Sequence, residues 1–198
     1  MKTAILLLAS GMGRRFGSNK LLEPLGNDLI IDYSLNAATG SIADNVTIVC
    51  SREVCRYISS KGPFSLIQND EPDIGMSHSI HLGVEYLRGD YDSILVINAD
   101  QPLIQADLIN EIIRLGKENP GHIVCVEADG KLRGPALFGS EYFDDLMNVS
   151  GDSGGREILG QAEGVLSIRV DELEVRDIDT AEDKAFVEDY MRAAGLLR

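Results

Sequence analysis

The sequence predicts an α/β fold with a single doubly wound, mostly parallel sheet. Apolar, β-branched runs alternate with segments of helical period through the first two thirds of the chain. Several of these runs are continuously apolar, which is typical of parallel strands covered on both faces. Glycine-rich or acidic turns follow them, and doubly wound sheets bind ligands beyond the carboxyl ends of their strands.

The alternation also gives the order of the elements. Strands are predicted at residues 3–9, 45–51, 64–68, 93–98 and 122–127. Helices are predicted between them at residues 30–38, 52–59, 77–88 and 105–117. Beyond residue 130 we expect strands at 134–138, 165–170 and 174–178, and helices at 140–147, 153–160 and 180–194. Thr180 is the expected N-cap of the last helix. No linker or repeat interrupts the chain, so residues 1–198 are predicted to form one domain.

Charge and composition exclude several classes of function. The chain has 32 acidic and 18 basic residues and a net charge of −14. This balance argues against binding to a nucleic-acid backbone or to an anionic membrane surface. It leaves open a small anionic ligand that is bound in a local basic pocket with the help of a metal ion.

The apolar runs and the cysteines bear on location. No apolar run reaches the 18 residues that a membrane-spanning helix needs. The cysteines are odd in number and lack metal-ligand spacing, and we predict that Cys50 and Cys125 are small core residues. A cytoplasmic location is therefore expected.

The loop after the first strand carries the strongest functional signal. Residues 10–20 read Ser-Gly-Met-Gly-Arg-Arg-Phe-Gly-Ser-Asn-Lys. Glycines let backbone N–H groups approach a phosphate closely, and the arginines and lysine add positive charge. The pattern is neither a P-loop nor a dinucleotide fingerprint. We interpret it as a nucleoside-triphosphate loop; the alternative is a glycine-rich turn with solvated arginines.

A second segment, residues 75–81, opens a predicted helix with a glycine and two serines. Free N–H groups and hydroxyls at a helix start can accept a phosphate or hydrogen-bond a nucleobase edge. The alternative is a plain helix cap by Ser77. His78 and His81 have no third ligand at zinc spacing, so no metal is expected there.

Carboxylates follow two predicted strands. Asp100 ends the apolar run 94–99, and Asp177 and Asp179 lie in the segment before the last helix. Mg²⁺ prefers oxygen ligands and shares its coordination with substrate phosphates, so these residues are candidate ligands; the alternative is helix capping. Residues 150–156 form a glycine-rich turn with one arginine that is placed to touch a second substrate.

Taken in order, these segments resemble the nucleotidyltransferases that attach a nucleotide to the molybdenum cofactor, over nearly the whole chain. The opening pattern of that family is met by Leu8, Gly11, Arg15, Phe16, Gly17 and Lys20. Residues 75–79, 100–102, 134–138, 151–156 and 177–183 follow in the expected order. The chain is most similar to the cytidylyltransferase branch, which makes molybdopterin cytosine dinucleotide for molybdenum hydroxylases.

The resemblance implies a Rossmann-like fold of the nucleotide-diphospho-sugar transferase type. It implies transfer of CMP from CTP to molybdopterin with release of pyrophosphate. The implied contacts to the nucleotide are Leu8, Ala9, Gly11, Gly13, Arg15, Lys20, Gly75, Ser77 and Ser79. Arg15, Lys20 and Asp100 are the implied catalytic residues, and Asp100 with Asp177 is the implied Mg²⁺ site.

The resemblance also implies partners and leaves rivals open. The expected partners are CTP or GTP, molybdopterin and a client molybdenum hydroxylase. One rival is a guanylyltransferase, or another cytidylyltransferase of this fold, that acts on a different phosphate acceptor. The other rival is a non-catalytic carrier that delivers the finished cofactor to a hydroxylase.

Overall fold

A seven-stranded sheet organises the protein, whose computed structural model describes residues 1–11, 19–152 and 154–197. In chain order the strands are β1 (Thr3–Ala9), β2 (Pro24–Leu25), β3 (Asp28–Leu29), β4 (Asn45–Cys50), β5 (Ser65–Gln68), β6 (Ser93–Asn98), β7 (Val124–Ala128), β8 (Lys131–Gly139) and β9 (Leu166–Arg169). The sheet order is β5-β4-β1-β6-β8-β7-β9, and β2 and β3 form a separate hairpin. β8 is antiparallel to β6 and β7, and the other pairs in the sheet are parallel. The predicted fold class is confirmed.

Helices cover both faces of this sheet. They are α1 (Ile30–Thr39), α2 (Arg52–Ile58), α3 (Met76–Leu87), α4 (Ala106–Glu118), α5 (Phe143–Asn148), α6 (Arg156–Gln161) and α7 (Ala181–Ala193). Successive side chains of a strand point to opposite faces. In β1, Ile5 and Leu7 therefore join the buried cluster with α1, α2, α4 and α7, whereas Leu6 and Leu8 join the cluster with α3, α5 and α6. This double burial explains why β1 is apolar throughout.

The strand predicted at residues 174–178 is wrong. Glu172–Val175 forms a 3₁₀ helix, because Asp171 and Glu174 cap its start reciprocally. The buried side chains of Val175 and Ile178 produced the strand-like pattern. The segment instead attaches to the turn after β6, where the Ile178 N–H donates to the Asp100 carbonyl at 2.9 Å. This attachment brings Asp177 and Asp179 beside Asp100.

Three other elements differ in extent from the prediction. The helix expected at residues 140–147 begins as a 3₁₀ turn, Ser140–Tyr142, before α5. The helix expected at 153–160 is confined to α6, and Ser153 lies outside the described residues. The strand expected at 134–138 extends back to Lys131, because Asp129 and Gly130 form a tight turn with positive φ that pairs β8 with β7.

Two of the three cysteines form a disulfide that the sequence did not predict. Cys50 and Cys125 are buried, as expected, but Cys50 is joined to Cys55 by a disulfide. Cys125 is free, and burial raises the pKa of its thiol to about 11. Disulfides persist mainly in oxidising compartments, so the cysteines lend no support to the expected cytoplasmic location. Within the described ranges, no helix has the length and apolar character needed to cross a membrane.

The start of α7 predicts a specific dependence of stability on acid. Asp183 accepts hydrogen bonds from Arg176 at 2.9 Å and from the Thr180 N–H at 3.0 Å. The bond from Arg176, followed by those from Thr180 and the backbone, holds the pKa of Asp183 below its usual value. A carboxyl with a lowered pKa stabilises the fold above the pKa of the unfolded state, about 3.9, and this contribution disappears as the pH falls through the folded pKa.

We therefore expect Asp183→Asn to lower the free energy of unfolding at pH 7 by about 1 kcal/mol, a typical value for a helix cap. The difference from wild type shrinks as the pH falls below about 4, because both proteins then carry a neutral group at this position. Urea unfolding at pH 7 and pH 3 measures this difference in the free energy of unfolding between Asp183→Asn and wild type. Asp189→Asn, an exposed carboxylate on the same helix, is the control. A loss that is equal at both pH values contradicts this account.

Candidate active site

A cavity of about 430 Å³ opens at the carboxyl ends of β1 and β6. Six of the residues predicted from the sequence line it: Leu8, Gly11, Lys20, Gly75, Ser79 and Asp100. Ala9 and Ser77 are buried and do not line it, and Asp177 is also absent from its wall. Gly13 and Arg15 belong to residues 12–18, which lie outside the described residues. The cavity therefore joins the start of the first loop to the strand end that carries Asp100.

Lys20 connects two distant carboxylates in this cavity. Its Nζ donates to Asp100 Oδ2 at 2.7 Å and to Asp179 Oδ1 at 2.8 Å. Burial acts to lower the pKa of Lys20, but the two aspartates outweigh it and raise the pKa above its usual value. Lys20 is consequently protonated throughout the neutral range and presents a fixed positive charge at the cavity wall.

A third carboxylate, Asp177, makes the cluster strongly acidic. Burial raises the pKa of Asp177 to about 6, and repulsion from Asp100 and Asp179 adds to this shift. The second oxygen of Asp100, Oδ1, is buried and has no hydrogen-bond partner among the described residues. The cluster thus has three carboxylates and one lysine, which contacts two of them.

This cluster does not form a complete metal site from protein side chains. Across residues 1–11, 19–152 and 154–197, no three histidine, cysteine or acidic side chains are grouped as a ligand set. Mg²⁺ is usually held by one or two carboxylates together with substrate phosphates, and a full protein set is not required. The unpartnered Asp100 oxygen and the surplus of carboxylates fit such a shared ion.

The start of α3 is already occupied by another turn of the protein. The Met76 N–H donates to Asp152 Oδ1 at 3.1 Å, and the Ser77 N–H donates to the Gly151 carbonyl at 3.0 Å. The expectation of free N–H groups at this helix start is therefore wrong. Nor does Ser77 cap the helix, because α3 begins at Met76 with Gly75 in the N-cap position.

Gly75 allows the two turns to approach each other. It has a φ of 107°, in the region that favours glycine, and an added Cβ would lie 2.9 Å from the Gly151 carbonyl oxygen. Gly151 and Asp152 of the glycine-rich turn thus support the cavity wall at the start of α3.

Comparison with known proteins decides the family. Residues 5–165 match the family described as MobA-like NTP transferase domain. The chain belongs to this family. Its sequence is 29% identical over 191 residues to the purine catabolism protein PucB of Bacillus subtilis, with 90% of this chain and 92% of PucB covered.

Solved structures agree with the fold of a MobA-like domain. Rv0371c of Mycobacterium tuberculosis superposes with a TM-score of 0.84 at 18% identity, covering 96% of this chain and 98% of Rv0371c. Another crystal structure of Rv0371c is a complex with manganese. Molybdopterin-guanine dinucleotide biosynthesis protein A of Archaeoglobus fulgidus superposes with a TM-score of 0.70 at 17% identity, covering 96% and 99% of the two chains. At these identities the likeness shows the fold alone.

Sequence reasoning missed several residues of the site in this MobA-like domain. Asn98 is the last residue of β6 and lines the cavity. Its position at the end of a predicted strand could have identified it as a candidate site residue. Asn69 is buried, and its Nδ2 donates to the Ser79 hydroxyl at 3.1 Å, so it positions that serine. Asp152 both lines the cavity and fixes the start of α3. The glycine-rich pattern at residues 150–156 marked the turn that holds Asp152, but the contact of Asp152 with the start of α3 and the contact of Asn69 with Ser79 join separate segments and have no local signal.

Proposed function

We propose that this MobA-like NTP transferase domain transfers CMP from CTP to molybdopterin and releases pyrophosphate, for a client molybdenum hydroxylase in the cytoplasm. The observation that carries the proposal is the Lys20–Asp100–Asp179 cluster at the wall of the cavity beyond β1. The name of the Archaeoglobus fulgidus protein, which has the same fold, supports a molybdopterin acceptor. The ordered sequence motifs support the cytidylyl branch.

In this proposal the protein supplies position and charge rather than a covalent intermediate. Lys20 is held in one orientation by its two carboxylates and donates to an oxygen of the α-phosphate. Arg15 is assigned to the β- and γ-phosphates. A phosphate nucleophile is already ionised at neutral pH, so no general base is assigned. Preorganised charge of this kind provides much of the acceleration in phosphoryl and nucleotidyl transfer.

We assign Mg²⁺ to Asp100, together with Asp177 or Asp179. The unpartnered Asp100 oxygen and the surplus of carboxylates fit a divalent cation. When bound, Mg²⁺ neutralises charge on the phosphate oxygens. Asp100 has a second task in the same site, since its other oxygen fixes Lys20.

Pyrophosphate release with a panel of CTP, GTP, ATP and UTP, each with molybdopterin and Mg²⁺, tests the proposal. We expect CTP to support turnover at least about tenfold faster than the others, because one pair of hydrogen bonds to a base edge is worth about 1–3 kcal/mol of discrimination against the wrong base. Faster turnover with GTP assigns the domain to guanylyl transfer instead. Pyrophosphate release only with a different phosphate acceptor rejects molybdopterin. Binding of the cofactor without pyrophosphate release from any nucleotide supports a carrier.

A further inference from the structure

The Cys50–Cys55 disulfide joins the end of β4 to α2, one strand away from the nucleotide cavity. Cys50 is the last residue of β4 and pairs with Ala9, the last residue of β1, whose carboxyl end opens into the cavity. Ser51 lies between the two cysteines as the N-cap of α2, where its hydroxyl accepts a hydrogen bond from the Val54 N–H. The disulfide therefore restrains the turn that connects β4 to α2.

This turn supports the part of the cavity wall that carries Lys20. The Ser51 hydroxyl accepts a hydrogen bond from Asn19 Nδ2 at 3.1 Å, and Asn19 directly precedes Lys20. The Ser10 hydroxyl donates to the Val49 carbonyl at 3.1 Å. Lys20 and Ser10 both line the cavity. The positions of both cavity residues therefore depend on the end of β4 and the turn that follows it.

The same strand end supports a second part of the wall, before and within α3. The Cys50 carbonyl accepts a hydrogen bond from the Asn69 N–H at 2.9 Å. Asn69 is buried, and its side chain donates to the Ser79 hydroxyl at 3.1 Å and accepts the Glu71 N–H at 2.8 Å. Ser79 lines the cavity, as do residues 72–74, which follow Glu71. The disulfide-bonded turn thus lies where two separate segments of the cavity wall meet.

The two sulfur atoms of the disulfide differ in access. Cys50 is buried, whereas Cys55 is partly exposed and lines a surface groove of about 580 Å³ between α2 and β5. Thiol–disulfide exchange begins when a thiolate reaches one sulfur atom of the bond. Cys55 is therefore the cysteine that a reductant attacks, and Cys50 is the leaving group.

The location proposed above makes such a reaction relevant. In the cytoplasm, disulfides that form are usually transient and serve catalysis or redox sensing. Neither Cys50 nor Cys55 lines the nucleotide cavity, which favours sensing over catalysis. The inference rests on the proposed function for the cytoplasmic location and for the choice of nucleotide.

We propose that Cys50–Cys55 is a thiol-exchange site, and that its reduction by a dithiol weakens nucleotide binding. A thiolate of the dithiol attacks the Cys55 sulfur. The bond between the two cysteines breaks, and its electron pair leaves with the Cys50 sulfur, which takes up a proton from solvent. The second thiolate of the dithiol then attacks the mixed disulfide and releases Cys55, which is protonated in turn. The protein gains two electrons and two protons, and the dithiol becomes a cyclic disulfide.

Reduction acts on the cavity through conformational freedom. Without the covalent bond, α2 is no longer tied to the end of β4, and the turn at Ser51 gains freedom. The hydrogen bonds from Ser51 to Asn19 and from Cys50 to Asn69 then restrain the cavity wall less. Nucleotide binding has to order these segments again, and that loss of entropy reduces the affinity.

Calorimetric titration with CTP and Mg²⁺ tests the proposal on oxidised protein and on protein reduced with dithiothreitol. Reduction weakens CTP binding at least about threefold, the cost of ordering one more side chain on binding. Reoxidation restores the affinity. Cys55→Ser cannot form the disulfide, so it binds CTP like reduced wild type and does not respond to dithiothreitol. Cys125→Ala, which removes the buried free thiol, responds like wild type.

Hydrogen–deuterium exchange without nucleotide separates this effect from a general loss of stability. Reduction speeds exchange in residues 45–58 and 65–79 and leaves β7 unchanged. Faster exchange throughout the chain overturns the inference, as does an unchanged affinity for CTP after reduction. Equal weakening by dithiothreitol in Cys55→Ser overturns it too, because the disulfide is then not the target.

The readout is binding, so failure of the proposed reaction is distinguishable from failure of the inference. A protein that binds CTP in a dithiol-dependent way but transfers no CMP contradicts the proposed function and leaves the inference standing. If oxidised wild type binds GTP and not CTP, the same titrations use GTP. The proposed nucleotide is then wrong, and the effect of dithiothreitol on GTP binding decides the inference.

Discussion

Lys20→Ala is expected to lower the rate of nucleotidyl transfer by about 10²- to 10³-fold, the usual cost of removing one preorganised donor from a charged transition state. The substitution removes the ammonium group that contacts both Asp100 and Asp179. Pyrophosphate release at saturating nucleotide measures the effect, which appears in kcat because charge on the α-phosphate builds up during the reaction.

The matched control for Lys20→Ala is Lys61→Ala. Lys61 also pairs with a buried aspartate, since its Nζ lies 2.7 Å from Asp32 Oδ1, but it does not line the nucleotide cavity. Lys61→Ala therefore reports the cost of breaking a similar ion pair away from the site, and its turnover stays close to wild type. Turnover by Lys20→Ala that matches Lys61→Ala would remove Lys20 from the catalytic assignment.

Lys20→Ala is also expected to lower the stability of the fold. Without Lys20, the partly buried carboxylates of Asp100 and Asp177 and the exposed carboxylate of Asp179 have no contacting cation, and breaking a largely buried ion pair such as Lys20–Asp100 from one side is costly. We expect Lys20→Ala to fold, with a melting temperature that is lower than that of wild type and that rises more steeply with added Mg²⁺. Thermal unfolding with and without Mg²⁺ separates this electrostatic loss from a general folding defect.

The parallel core of this fold was predictable because its signals are local. The apolar runs of β1, β4 and β6 extend without interruption, and burial on both faces requires that pattern. Position along the chain then placed Gly11, Lys20 and Asp100 near one sheet edge. A strand end and the loop that follows it are neighbours in sequence, so the cavity could be located before its shape was known.

The contacts that complete the site could not be predicted in this way. Lys20 meets Asp179 across 159 positions, and Met76 meets Asp152 across 76. The apolar pattern at residues 174–178 predicts a strand, and the resemblance implies Asp177 as the second metal ligand beside Asp100. No strand forms there, and it is Asp179 that joins Lys20 in the cavity wall. Alternating burial in a short segment fits an anchored 3₁₀ turn as well as a strand.

Asp100→Asn is expected to reduce nucleotidyl transfer at least about 10³-fold and to weaken binding of Mn²⁺, used as a spectroscopic substitute for Mg²⁺. The amide keeps the shape of the side chain and can still accept a hydrogen bond from Lys20, but it removes the negative charge. Transfer and cation binding are therefore weakened together, because the ion pair with Lys20 becomes a neutral hydrogen bond and the oxygen offered to a cation loses its charge. Electron paramagnetic resonance of Mn²⁺ and pyrophosphate release measure the two losses separately.

Companion variants identify the second ligand and control for the loss of charge. Asp177→Asn and Asp179→Asn each remove one carboxylate from the cluster. Only the variant that lacks the second metal ligand weakens Mn²⁺ binding as strongly as Asp100→Asn does. Asp44→Asn is the control, because Asp44 accepts the Thr3 N–H at the opposite end of β1, and this variant binds Mn²⁺ like wild type. Mn²⁺ binding retained in Asp100→Asn would remove Asp100 from the metal assignment. A loss of turnover with Mn²⁺ binding intact would mean that Asp100 acts by holding Lys20 alone.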